Sequence, residues 1–163
     1  MPISWTCKPF ADLTLNELYA LLRLRSEIFV VEQNCPYPDM DGLDEAAFHL
    51  LGRAEAGELA AYTRLLPQGV SYPDYASIGR VVVARAQRGS GLGRELMRES
   101  IARCEALFGV GPLKIGAQQY LERFYQELGF MQCGEGYDED GIPHIPMLLE
   151  PHHQPPLLRE RTG

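Results

Sequence analysis

The chain carries no excess of positive charge, no apolar run of membrane-spanning length and no closely spaced pair of cysteines. Each lack removes a class of function. The formal net charge is −7, so the basic face of a nucleic-acid-binding protein is not expected. No run approaches the roughly 18 apolar residues that a membrane helix needs, so no membrane partner is expected. The opening MPISWTCKPFADL has no apolar stretch of secretory-leader length, and a cytoplasmic location is the expectation. Cys7, Cys35, Cys104 and Cys133 form no C-x-x-C knuckle. Reduced thiols and no metal site are therefore expected.

What is present is the composition of a folded protein. Of 163 residues, 45% are apolar and 23% charged, enough for a substantial core. Residues 1–150 read as a single domain, and 151–163, rich in proline and charge, as a loose tail. Ile3 to Lys8 is a short strand. Thr14 with Glu17 fits a capping box, and Leu18, Leu21, Leu22, Arg25 and Phe29 trace a helical stripe with one polar break. Phe48–Ala54 and Leu59–Leu66 read as a hairpin, and Ala76–Val83 as a further strand. A helix follows with Leu92, Leu96, Met97, Ile101, Cys104 and Phe108 on one face, and Gly109 and Gly111 stop it. Leu113–Ala117 is a strand, Tyr120–Leu128 a helix, and Phe130–Gly134 and Ile145–Leu149 two closing strands. The order β-α-β-β-β-α-β-α-β-β predicts an α/β fold with a mixed sheet and helices on both faces.

The segment IGRVVVARAQRGSGLGRELM holds the strongest functional signal. A strand runs into Arg88-Gly89-Ser90-Gly91-Leu92-Gly93-Arg94, and a helix starts at once. Glycines let a backbone approach a ligand closely, and a helix N-terminus offers free N–H groups to a diphosphate. The Walker loop needs a lysine that is missing here, and the spacing of Gly91 and Gly93 does not suit the dinucleotide fingerprint. The pattern [RQ]-x-x-G-x-[GA] does fit. A second segment, LKIGAQQYLERFYQELGF, joins a strand to a helix carrying Y-x-x-x-G-F.

On these two segments the chain resembles the GNAT superfamily of N-acetyltransferases. FVVEQNCPYPDMDGLD, IGRVVV, AQQYLERFYQELGF and EDGIPHIPM resemble its ElaA-type branch, over nearly all of residues 4–149. The resemblance implies transfer of an acetyl group from acetyl-CoA to an amine by direct attack in a ternary complex, with no metal. It implies that the backbone of Arg88, Gly89, Ser90, Gly91, Leu92, Gly93 and Arg94 holds the pyrophosphate. The open edge of Val81, Val82 and Val83 would pair with the pantetheine arm, the Val83 N–H stabilising the thioester oxygen. Gln118 stands where an asparagine that helps hold CoA is common. Tyr125 matches the tyrosine that faces the CoA sulfur; proton donation and a purely positioning hydrogen bond are the two roles open to it. For the base that prepares the amine, Glu32, His49 and His144 are candidates. A homodimer is common among such proteins, and no sequence feature demands one. A module that binds acyl-CoA without catalysing transfer is the alternative reading.

The stretch VVEQNCPYPDMDGLDE, residues 30–45, does not place its acids at the positions of an EF-hand loop. It is either a solvated turn or a wall of the acceptor site, in which Glu32 and some of Asp39, Asp41 and Asp44 would attract a cationic amine. Cys35 within it, without a placed base, reads as an idle thiol.

Overall fold

The computed structural model describes residues 2–151; the loose tail expected for 151–163 lies, apart from Pro151, outside them. Strand β1 (Ser4–Pro9) leads through a short turn to helix α1 (Leu15–Arg25). The Thr14 side chain accepts from the Glu17 N–H, and Glu17 accepts from the Thr14 N–H, so the expected capping box starts this helix. Strands β2 (Phe48–Arg53), β3 (Leu59–Leu66) and β4 (Ala76–Val83) follow. Helix α2 (Leu92–Phe108) crosses to β5 (Leu113–Gln118), and α3 (Glu122–Glu127) precedes β6 (Met131–Gln132), β7 (Tyr137–Glu139) and β8 (Ile142–Leu149). All eight strands form one sheet in the order β1-β2-β3-β4-β5-β8-β6, with β7 also on β8. Only the β4–β5 pair is parallel, as a crossover through a helix requires. No helix among the described residues is long and apolar enough to cross a membrane.

The helices cover both faces. Leu21, Leu24 and Ile28 of the first helical segment pack on Leu51, Tyr62 and Val82. On the opposite face, Met97, Ile101 and Cys104 of α2 and Tyr125 of α3 pack on Ile78, Ile115, Ile145 and Met147.

Two elements differ from the sequence expectation. Helix α1 does not end near Phe29 as an α-helix but widens over Ser26–Glu32 into a π-helix. Gln33 N–H reaches the Ile28 carbonyl at 3.1 Å and Cys35 N–H reaches Val30 at 2.9 Å, both five residues back. The β-branched Ile28, Val30 and Val31 crowd an α-turn, and the wider turn delivers Glu32 and Gln33 to the sheet edge. The second difference is β7, a strand between Gly134 and Ile145, where the sequence reading assigns no element. It forms a hairpin with β8 across Asp140-Gly141, both at positive φ (51° and 82°). An Asp-Gly pair between strands is the strongest short hairpin signal; the prolines at 143 and 146 obscured it.

Strand β4 is bent. Tyr62 faces Val82, but two residues on Arg64 faces Gly79, so β4 carries one extra residue as a bulge. At the bulge Arg80 sits at φ 50°, a conformation L-residues rarely adopt. The acids of residues 39–44 hold it there. Arg80 Nη2 donates to the Asp39 carbonyl at 2.7 Å, and its Nε lies 2.9 Å from Asp39 Oδ1. Arg25, fully buried, donates to Asp39 Oδ2 at 2.8 Å and Asp44 Oδ1 at 2.7 Å. Arg64 forks onto Asp41 with two 2.8 Å bonds and reaches Asp44 at 3.1 Å.

This network sets a pH dependence. Burial pushes the Asp41 and Asp44 carboxyls up, but the Arg64 bonds to Asp41 and the Arg25 bonds to Asp44 outweigh it and hold both below the usual range. A carboxyl depressed by folding contributes stability that is full above its unfolded pKa and lost as pH falls through its folded one. Urea midpoints should therefore hold steady down to pH ~4 and fall below it. Asp44→Ala should flatten that decline and cost about 3 kcal/mol at pH 7, because it strips a partner from two buried guanidinium groups.

Candidate active site

The pairing of β4 with β5 stops after Ala76–Leu113 and Ser77–Lys114. Beyond that row the two strands part, while β5 stays paired with β8 as far as Gln118–His144. A cleft of about 690 Å³ opens between them. It cuts through the sheet, so it has a side toward α2 and α3 and a side toward α1.

On the α2–α3 side lies the glycine loop. Gly89 (φ 84°) and Gly91 (φ 80°) are left-handed, and a Cβ on either would meet no atom within 4 Å. Gly91 caps α2, whose first amides, of Leu92, Gly93 and Arg94, have no partner inside the helix. Space over the loop, glycines at the turns and free amides at the start of a 17-residue helix together fit a diphosphate. Ser90 Oγ is turned inward, donating to the Gln87 carbonyl at 2.7 Å. Gly93 is instead a packing position, with Phe124 3.7 Å from where a Cβ would stand. Arg94 is paired with Glu127.

The edge of β4 in the cleft is oriented by its other partner. Ala84 N–H donates to the Ala60 carbonyl at 2.8 Å. Antiparallel alternation then turns the Val83 N–H and C=O away from β3, into the cleft. Val81 and Val82 line the cleft beside it, and Val82 also packs in the core against α1. Tyr125 lines the cleft from α3, 5% exposed, and its hydroxyl makes no hydrogen bond to another described residue. Burial pushes that hydroxyl well above the usual phenol range. It holds its proton through neutral pH.

The three base candidates fare differently. His49 is fully buried, with one ring nitrogen 2.6 Å from Tyr62 Oη and the other 2.9 Å from the Asp44 carbonyl. Burial pulls its pKa down, and neither nitrogen reaches the cleft: it is a structural residue. Glu32 lies at the mouth but accepts from Arg88 at 2.7 and 2.6 Å and from Arg85 at 3.0 Å. The Arg88 bonds, then those of Arg85, hold its carboxyl low, which makes it a clasp on the glycine loop and a poor proton acceptor. His144 alone of the three stands in the cleft with a ring nitrogen to spare.

Asp39, Asp41 and Asp44, expected to face a cationic amine, are bound instead to Arg25, Arg64 and Arg80. Asp39 and Asp41 line the cleft, but these arginines balance their charge, so the expectation that they attract a cationic amine is corrected: their role is structural. Gln118 exchanges two 3.3 Å hydrogen bonds with Gln33 across the cleft. Sequence reasoning missed Tyr72, Tyr137 and Glu139, which line the cleft on the α1 side. The Asp140-Gly141 turn could have shown that Tyr137 and Glu139 sit on a strand beside His144. Among the described residues no group of three or more His, Cys, Asp or Glu could hold a metal ion.

A mixed sheet that splits at its parallel pair, with an anion loop opening the helix behind the split, is the architecture of acyl-CoA-dependent transferases. The model of the acetyltransferase (GNAT) domain matches residues 29–151. Protein ElaA of Escherichia coli is 43% identical over 150 residues, covering 91% of this chain and 97% of its own. The crystal structure of an acyl-CoA N-acyltransferase from Pseudomonas aeruginosa superposes with a TM-score of 0.85 at 47% identity, over 91% of this chain and 99% of that one. The crystal structure of E. coli ElaA gives 0.84 at 42% identity, over 91% of this chain and all of that one (100%). The chain belongs to the GNAT acetyltransferase family, in its ElaA-type branch.

Gly91→Asp places a side chain at φ 80° and a negative charge over the free amides. It should weaken CoA binding about 100-fold or more, through strain and repulsion together. Isothermal titration with CoA measures this, with thermal melting as the check that the variant remains folded.

Proposed function

We propose that the protein is an N-acetyltransferase that carries an acetyl group from acetyl-CoA to a primary amine, by direct attack with both substrates bound. The observation that carries this reading is the unpartnered hydroxyl of Tyr125, a residue only 5% exposed, in the same cleft as the free edge of β4 and the glycine loop. Acetyl-CoA would supply the acyl group as a thioester. The amides of the loop and of the first turn of α2 hold the diphosphate, and the open edge of β4 takes the pantetheine amides as an added strand would. The Val83 N–H, turned into the cleft, would stabilise the thioester oxygen as it gains charge during attack by the amine. Tyr125 offers its proton to the departing sulfur. Its raised pKa favours a hydrogen bond strengthened during C–S cleavage over early proton transfer.

Release of free thiol from acetyl-CoA, followed with and without a panel of primary amines, tests the reading. Acceptor-dependent thiol release is expected. CoA binding without acceptor-dependent thiol would leave a non-catalytic acyl-CoA-binding module. Tyr125→Phe should lower kcat about 100-fold while CoA affinity changes little. Equal turnover would reduce Tyr125 to packing against Phe124 and Phe130, its T-shaped ring neighbours.

A further inference from the structure

The α1 side of the cleft has its own chemistry, separate from the loop. On β5, Ile115 and Ala117 face the core, so Lys114, Gly116 and Gln118 face the α1 side. His144 pairs with Gln118 in register. Tyr137 on β7 stacks its ring on His144, centroids 5.7 Å apart and planes 22° apart. The Tyr137 hydroxyl occupies the space that a side chain on Gly116 would take, and the Tyr72 hydroxyl lies 3.6 Å from the same point. Two phenols and an imidazole thus converge where β5 carries no side chain.

The ring nitrogens of His144 have distinct roles. Nδ1 lies 2.7 Å from the Ile142 carbonyl, which can only accept, so the proton sits on Nδ1. In the neutral ring Nε2 carries the lone pair; it lies 3.4 Å from Glu139 Oε2. The Glu139 side chain is 58% exposed, so a proton taken by Nε2 has a route to solvent. The charged groups around the ring are few. Glu139 and Asp140 have no Arg or Lys partner among the described residues, unlike Asp39, Asp41 and Asp44. Lys114 is turned onto the Tyr72 and Tyr75 rings, 4.8 and 5.7 Å from their centroids. Arg64 and Arg80 are neutralised by the acidic loop.

We infer that His144 is the general base and that Glu139, Tyr72 and Tyr137 form the acceptor subsite, built for an alkylamine of net positive charge. This rests on the acetyltransferase reading and deepens it. The amine reaches the subsite as an ammonium, and the uncompensated carboxylates attract it. His144 Nε2 takes one proton and passes it to solvent beside Glu139. The freed nitrogen bonds to the acyl carbon from the α1 side while the carbon–sulfur bond breaks on the other. The second nitrogen proton replaces the one that Tyr125 gives to sulfur, so the products are an amide, a thiol and one released proton. Among the described residues the cations beside the subsite are Lys114, held over the Tyr72 and Tyr75 rings, and Arg64 and Arg80, held by the acidic loop.

The test uses the purified full chain, acetyl-CoA and four acceptors: 1,4-diaminobutane, butylamine, 4-aminobutyrate and hydroxylamine, which is uncharged at neutral pH. Wild type should use the diamine best and 4-aminobutyrate worst. His144→Gln should lose about 100-fold in kcat with the diamine, keep its affinity for acetyl-CoA, and lose far less with hydroxylamine, which needs no deprotonation before attack. Glu139→Gln should raise KM for the diamine about 5-fold and raise KM for uncharged hydroxylamine far less. Equal loss with both acceptors, or none, in His144→Gln removes it as the base. A preference for 4-aminobutyrate overturns the cationic subsite. Binding of acetyl-CoA by wild type with no thiol released by any acceptor overturns the acetyltransferase reading itself, and the inference with it.

Discussion

Strands β4 and β5 share only two rows of pairing, and everything of functional interest follows from their separation. A parallel pair normally continues to the end of the shorter strand, since each unpaired amide is a lost hydrogen bond. Here β5 satisfies its other edge on β8 along its whole length, while β4 keeps β3 and turns its second edge to the cleft. The unpaired edge is an exposed template of amides and carbonyls. That is a liability on a surface and a binding device inside a cleft.

The separation needs a bend in β4, and the bend needs Arg80 at positive φ. Such strain of order 1–3 kcal/mol persists only where surroundings over-determine it. Three arginines and three aspartates supply that determination. Arg25 comes from the helix, Arg64 from β3, Arg80 from the bulge, and the acids from one loop. Neither sign is left in excess, and each group is held by more than one partner. The network also joins α1 to the sheet at the point where the cleft opens, so the acceptor side is positioned by the same residues that bend the strand.

Much of this was legible in the sequence, for reasons that can be named. Capping box, hairpin, valine strand and the apolar face of α2 each follow a local period, and each stands where expected. The glycine loop was legible because glycine at a turn before a helix has a conformational cause, visible as left-handed Gly89 and Gly91. The polar break at Arg25 was visible as an anomaly on an apolar stripe, but not its solution, since its partners Asp39 and Asp44 are set by tertiary contact. The acids of residues 39–44 look the same in sequence whether they face solvent, substrate or arginine; only the buried guanidinium groups decide. Glu32 and His49 were reasonable bases by residue type and position. What removed them was partner geometry, which carries no sequence period.

A chain of net charge −7 that is proposed to hold a polyanion poses an electrostatic problem, and the arrangement of the two cleft sides answers it. The loop attracts anions through backbone amides and the α2 dipole, which need no side-chain charge and act over the first turn. Arg88, the nearest formal cation of the motif, is occupied by Glu32, so anion affinity is not left to it. The uncompensated carboxylates, Glu139 and Asp140, lie on the other side of the sheet, beyond β5. Fields at such separations are screened within about 8–10 Å at ordinary ionic strength. One cleft can therefore draw an anion from the α2–α3 side and a cation from the α1 side. On the proposed function, the two substrates would approach the gap beyond the two paired rows from opposite directions, which is the geometry direct transfer requires.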